Sequence, residues 1–184
     1  MAKQANLMGE ELEDKNPNDD VYTPEPIAKA IIAMFKPSGK MLEPCKGKGA
    51  FLKFMPNADW CEITEGRDFF EYKQKVDWII TNPPYSAYDK FLEHSFELAE
   101  NIIFLVPLGK VFNSWERLEK IKKWGGLKKI WIIGTGNKCG FPFGFPCGAF
   151  YFKKGYAGAN IEIVYGTAPI PPTDKSVGIL GVIL

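Results

Sequence analysis

The chain has 184 residues, of which 46% are apolar, 24% charged and 14% aromatic; this suits one globular domain with a real core and excludes a globally disordered chain. Lys and Arg (23) nearly cancel Asp and Glu (22), so the net charge of +1 creates no whole-chain field that points to nucleic acid or against it. Cys45, Cys61, Cys139 and Cys147 form no Cys-x-x-Cys pair and His94 is the lone histidine, so no metal is expected and a hydrolase built on a histidine base is disfavoured. With no secretory signal in the sequence, reduced thiols and a cytoplasmic location are expected. The longest apolar run, Val177–Leu184, contains glycine and is too short to span a bilayer, so no membrane partner is expected.

Residues 1–20 hold six acids against Lys3 and Lys15, a local net of −4 that leaves +5 on the remainder; they are expected to be a flexible acidic arm. Thr23 is placed to cap a helix with Pro24 at its first position, and Ile27, Ala30, Ile31, Met34 and Phe35 recur on one side until Pro37-Ser38-Gly39 ends it. Residues 40–43 read as a short buried strand. A helix is expected to open after Gly47 and Gly49, carrying Ala50, Phe51, Leu52 and Phe54. Residues 58–63 and 76–80 read as the next strands, and about 87–99 as a helix with Phe91, Leu92, Phe96 and Leu98 apolar. A continuous apolar strand follows at 102–106. Ser114 caps a helix that Gly125-Gly126 ends, and residues 129–133 and 149–152 are strands joined by a Gly- and aromatic-rich connection. The alternation predicts an α/β sheet, mostly parallel, with helices on both faces. The domain is expected to run over residues 21–154, with 155–184 as a C-terminal extension.

Three loops fall at strand ends, where open α/β sheets bind ligands. In Leu42-Glu43-Pro44-Cys45-Lys46-Gly47-Lys48-Gly49-Ala50-Phe51 the two glycines let the backbone turn tightly and approach a ligand. The loop lacks both the G-x-G-x-x-G fingerprint and a phosphate-loop Lys-Ser/Thr, which favours a compact nucleoside over a pyrophosphate. Glu62, about 13 residues beyond Gly49, can accept from both ribose hydroxyls or can simply terminate a strand. The third loop is Asn82-Pro83-Pro84-Tyr85, directly after a buried strand.

Together with Tyr22-Thr23-Pro24, these loops resemble the S-adenosylmethionine-dependent N6-adenine DNA methyltransferases, and their order is similar to the gamma class. The resemblance covers about residues 21–110 by motif. It implies a Rossmann-like class I methyltransferase sheet, S-adenosylmethionine as cofactor, DNA as partner, and a role in DNA methylation and restriction-modification. Site recognition is then expected from a homodimer, from a separate specificity subunit or from the Phe-rich loop reading a short site. Thr23, Glu43, Cys45, Gly47, Gly49, Glu62, Asp68 and Phe69 become the cofactor residues, Phe69 alternatively serving, with Phe70, as core. Asn82, Pro83 and Tyr85 become catalytic. Pro84, Tyr85 and Phe143 become contacts to the substrate, although Phe141, Phe143 and Phe145 equally suit a hydrophobic plug. RNA adenine and protein glutamine are alternative substrates, and a non-catalytic nucleic-acid-binding subunit is the alternative class.

The chemistry suits these residues. The lone pair of the adenine N6 amine is delocalised into the ring. Two acceptors facing its two hydrogens draw the nitrogen toward tetrahedral geometry and free that pair. The Asn82 side-chain oxygen and the Pro83 carbonyl are the two, and prolines with fixed φ aim the carbonyl in advance. Tyr85 offsets the stacking lost when a base is flipped out. The Lys-rich stretch 101–130 reads as a phosphate-contacting surface or as a solvated helix face, and His94 as structural.

Overall fold

A computed structural model describes residues 21–158 and 160–166; the acidic arm and most of the C-terminal extension expected from sequence lie outside these residues. The described elements are α1 (Glu25–Phe35), β1 (Met41–Glu43), β2 (Asp59–Trp60), β3 (Val76–Thr81), α2 (Tyr88–Leu98) and β4 (Ala99–Pro107). There follow α3 (Leu108–Phe112), α4 (Trp115–Trp124), β5 (Gly125–Thr135), β6 (Pro146–Lys154) and β7 (Glu162–Tyr165). The strands form one sheet in the order β2-β1-β3-β4-β6-β5-β7. Only β6 among them runs against the others, pairing antiparallel with both β4 and β5. The strand order reverses at β1, which pairs in parallel with β2 on one side and β3 on the other.

The period of two along a strand assigns alternate residues to opposite faces. Ile79, Ile102, Phe104 and Val106 pack with Tyr88, Leu92, Val111 and Ile121 under α2, α3 and α4. Their neighbours Ile80, Ile103 and Leu105 pack with Ile27, Ala28 and Ile31 of α1, and with Phe51 and Met55. Helices therefore cover both faces. Because β3 and β4 are apolar on both sides, they read as continuous runs in sequence.

Two local expectations are corrected. The segment after Gly49 makes only a 3-10 turn at Leu52–Phe54, because Met55 precedes Pro56 and the residue before proline is driven out of the helical region. Thr23 does not cap α1. The Pro24 carbonyl accepts the N–H groups of Ile27 and Ala28 at 3.0 and 3.1 Å, so Pro24 occupies the cap and Thr23 lies one residue outside it. Ser114 does cap α4, its hydroxyl accepting from the Arg117 N–H at 3.3 Å. The sheet also continues past residue 154, since β7 pairs in parallel with β5.

Candidate functional site

A cavity of about 480 Å³ opens at the carboxyl ends of β1 and β3, where the strand order reverses. Residues from four separate segments line it: Thr23 before α1, Cys45 and Gly47 after β1, Glu62, Asp68 and Phe69 after β2, and Asn82 and Pro84 after β3. The sequence-assigned residues Glu43, Gly49, Pro83, Tyr85 and Phe143 stand back from the lining.

The glycine loop folds as its composition demands. Gly47 and Gly49 adopt φ of +50° and +76°, in the left-handed region that penalises a side chain. A Cβ on Gly47 would also press against the Tyr22 ring at 3.1 and 3.3 Å, while one on Gly49 would meet nothing. Gly47 thus has two reasons to be glycine and Gly49 one. The Gly47 N–H donates to Glu62 Oε2 at 2.8 Å, and Glu62 Oε1 accepts the Thr64 hydroxyl at 2.8 Å and its N–H at 3.2 Å. Glu62 therefore couples the β1 loop to the β2 loop and holds its carboxylate at the wall. Lys46 is fixed nearby, its Nζ 2.6 Å from Glu65 Oε1 and 4.2 Å from the Trp60 ring centre.

Asp68 lines the cavity with one oxygen accepting from the Phe70 N–H at 2.8 Å. The pair after it divides. Phe69 is 3% exposed, stacked on Phe91 at 5.0 Å with the His94 ring edge-on at 4.8 Å, whereas Phe70 is 37% exposed. Both line the cavity, so Phe69 is at once core and wall. Cys45 is a free thiol, and burial pushes its pKa well up.

Asn82 is satisfied on one side of its amide only. Its Nδ2 donates to the Val21 carbonyl at 2.9 Å. That carbonyl can only accept, so the amide orientation is determined and Oδ1 is the atom left over. Oδ1 is buried with no partner among the described residues. A buried acceptor left unpaired costs about 1–3 kcal/mol. Behind it, Pro83 is buried and Pro84 lines the cavity. Tyr85 is half-buried and faces the edge of Phe143, ring centres 6.4 Å apart. Glu43 and Thr81 add three more buried oxygens that make no hydrogen bond of normal geometry among the described residues, at the ends of β1 and β3.

Sequence reasoning overlooked Ile63. It is 65% exposed yet lines the cavity, an apolar side chain held out where a planar ring could lie on it. Its position directly after Glu62 at the end of β2 was the available signal. Tyr22 and Lys48 were also passed over as a pair: Lys48 Nζ lies 4.4 Å above the Tyr22 ring, and both line the cavity.

The volume falls in the range of small-molecule sites, and the lining combines an apolar wall with carboxylates and a glycine cradle. These groups fit a nucleoside carrying a short charged arm, as S-adenosylmethionine does. Among the described residues no helix is long and apolar enough to cross a membrane, and no group of three His, Cys, Asp or Glu could hold a metal ion.

No family model matches the chain, and no curated protein matches it. Its structure is similar to the methyltransferase subunit of a type I restriction-modification system from Streptococcus thermophilus, with a TM-score of 0.61 and 14% identity over 79% of this chain and 47% of that one. It is also similar to the M protein of the type I restriction enzyme EcoKI, with a TM-score of 0.57 and 15% identity over 84% of this chain and 50% of that one. A Listeria monocytogenes protein assigned to the class I S-adenosylmethionine-dependent methyltransferases gives a TM-score of 0.57 and 14% identity, covering 84% of this chain and 68% of that one. The chain spans about half the length of the two restriction-modification subunits. These likenesses show the fold, which is that of the class I methyltransferases.

Proposed function

We propose that this chain transfers a methyl group from S-adenosylmethionine to the N6 amine of adenine in DNA. The observation that carries the reading is the Asn82 side chain. Its nitrogen is tied to the Val21 carbonyl, and its oxygen is buried with no partner among the described residues, at a proline corner whose Asn82 and Pro84 line the cavity. The likeness of fold to restriction-modification methyltransferase subunits supports DNA as the substrate class.

Glu62 takes the ribose hydroxyls of the cofactor, and Asp68 takes the amine of its adenine. Ile63 and Phe69 form the apolar walls for that ring. Gly47 and Cys45 shape the floor for the methionine arm, and Thr23 contacts it. Glu43 supports this floor from behind, and Gly49 supplies the turn that follows. When bound, the cofactor supplies an electrophilic methyl group on a sulfonium. Asn82 Oδ1 accepts one hydrogen of the target amine and the Pro83 carbonyl accepts the other, which draws the nitrogen lone pair out of conjugation. Pro84 and Tyr85 bound the base, with Phe143 behind Tyr85. Orientation supplies most of the rate, and Asn82 acts as a positioned acceptor more than as a strong base.

The test is transfer of tritiated methyl from the labelled cofactor to duplex DNA, with the products resolved as nucleosides and peptides by mass spectrometry. Asn82→Ala is expected to lower transfer on the order of 100-fold or more while the cofactor still raises the melting temperature. Label in RNA adenine or protein glutamine, with none in DNA, replaces this reading. Neither label nor a melting shift would make the chain a non-catalytic module.

A further inference from the structure

Phe141, Phe143 and Phe145 occupy alternate positions in the turn that joins β5 to β6, at the carboxyl end of β5 and so at the end of the sheet where the cavity opens. Their rings form a column. Phe141 and Phe143 lie 5.2 Å apart at 12°, and Phe143 and Phe145 lie 4.0 Å apart at 7°. The base of the column is in the core, Phe141 being 4% exposed, and its far end is open, Phe145 being 43% exposed. Two contacts tie it to the candidate site. Tyr85 faces Phe143, and a Cβ on Gly140 would touch Pro24 at 3.3 Å, next to Thr23 on the cavity wall. Gly136 keeps the space clear, since a Cβ there would come within 2.4 Å of the Phe143 ring.

A hydrophobic plug accounts for Phe141 and half of Phe143. It does not account for a third parallel ring whose outer side meets water. The same turn carries Lys138, which is exposed and makes no ion pair among the described residues. An open aromatic face with a cation in the same turn matches a strand of nucleic acid, which offers flat rings and phosphates together. A peptide offers no such regular supply of planar rings.

We propose that Phe145 stacks an unpaired nucleobase next to the target adenine, so that the column extends outward by one base and the chain acts on locally single-stranded nucleic acid. The proposal rests on the adenine reading above. The probe is single-stranded DNA of randomised sequence, with methyl transfer followed for the wild-type chain, Phe145→Leu and Phe145→Trp. The leucine keeps apolar bulk but has no ring face, and the tryptophan keeps and enlarges the face. Phe145→Leu is expected to raise KM about tenfold with kcat nearly unchanged, and Phe145→Trp to keep KM at or below the wild-type value. The cofactor-induced melting shift is expected to survive in both variants. An unchanged KM in Phe145→Leu, or a Phe145→Trp as impaired as Phe145→Leu, overturns the stacking role and leaves the adenine reading standing. A wild-type chain that labels no adenine while still responding to the cofactor overturns both.

Discussion

At 1% exposure, Glu43 is shut off from solvent, and its two carboxyl oxygens make no hydrogen bond of normal geometry among the described residues, although the Thr81 hydroxyl and the Cys45 backbone lie close by. Burial pushes its pKa well above the usual carboxylate range, and the charge of Glu62 adds to the rise. The fold therefore holds Glu43 protonated where the unfolded chain releases the proton. Since the native state binds more protons, this group makes stability fall as pH rises above the usual carboxylate range, with a slope of at most about 1.4 kcal/mol per pH unit, until the raised folded value is passed. Glu43→Gln is expected to lose that slope. Its melting temperature, compared with wild type by thermal scans between about pH 5 and 7, should gain steadily as pH rises; a constant difference over that range would contradict a neutral Glu43. From sequence, Glu43 ends a short buried strand and becomes a cofactor residue only through the resemblance, because the letters Leu-Glu-Pro do not reveal that its own carboxyl is sealed in. Asn82 was legible for the opposite reason, since two prolines after a buried strand leave a side chain at that corner little freedom.

The elements that carry the Asn82–Tyr85 loop are stapled from behind. Arg117 of α4 is 6% exposed and donates through Nε and Nη2 to both oxygens of Asp89, at 2.6 and 2.8 Å. Its Nη1 donates to Asn113 Oδ1 at 2.6 Å and to the Lys110 carbonyl, and the guanidinium lies 4.9 Å over the Tyr88 ring. One side chain thus joins the first turn of α2 to α3 and α4. The paired guanidinium holds the Asp89 carboxyl below the usual carboxylate range. Asp89 is itself half open to water, so breaking the pair does not strand a buried charge, and Arg117→Met is expected to lose about 2 kcal/mol. That corresponds to a fall of roughly 4–8 °C in melting temperature by calorimetry. Arg117→Lys should not restore it, because an ammonium cannot serve a bidentate carboxylate and two further acceptors at once. Elements with strong periodicity were readable: α2, β3 and α4 lie within a residue or two of their expected bounds. The short α3 and β7 were not, since five- and four-residue segments carry too little pattern, and β7 owes its state to pairing with β5.

Across the whole molecule, the cavity is walled by loops from both sides of the strand-order reversal, so a ligand bound there joins segments up to 70 residues apart, from Val21 to Phe91. Such a ligand binds the native state alone. S-adenosylmethionine at about 100 times its dissociation constant is expected to add about 2.7 kcal/mol, roughly 5–10 °C in a thermal melt. Glu62→Ala should reduce that shift, and an equal shift in the variant would contradict its role at the wall. The α/β class could be read from alternating patterns alone, and the reversal of strand order could not, because it depends on which strand each crossover reaches. The contact between the Asn82 amide and residue 21 belongs to this level as well. The group that turns the amide is a peptide carbonyl, which every amino acid possesses. Replacing the valine leaves the anchor intact, whereas an insertion or deletion in the stretch leading to the first helix swings the oxygen away. The aim of this side chain is therefore stored in the route of the backbone, and no letter at position 21 announces it.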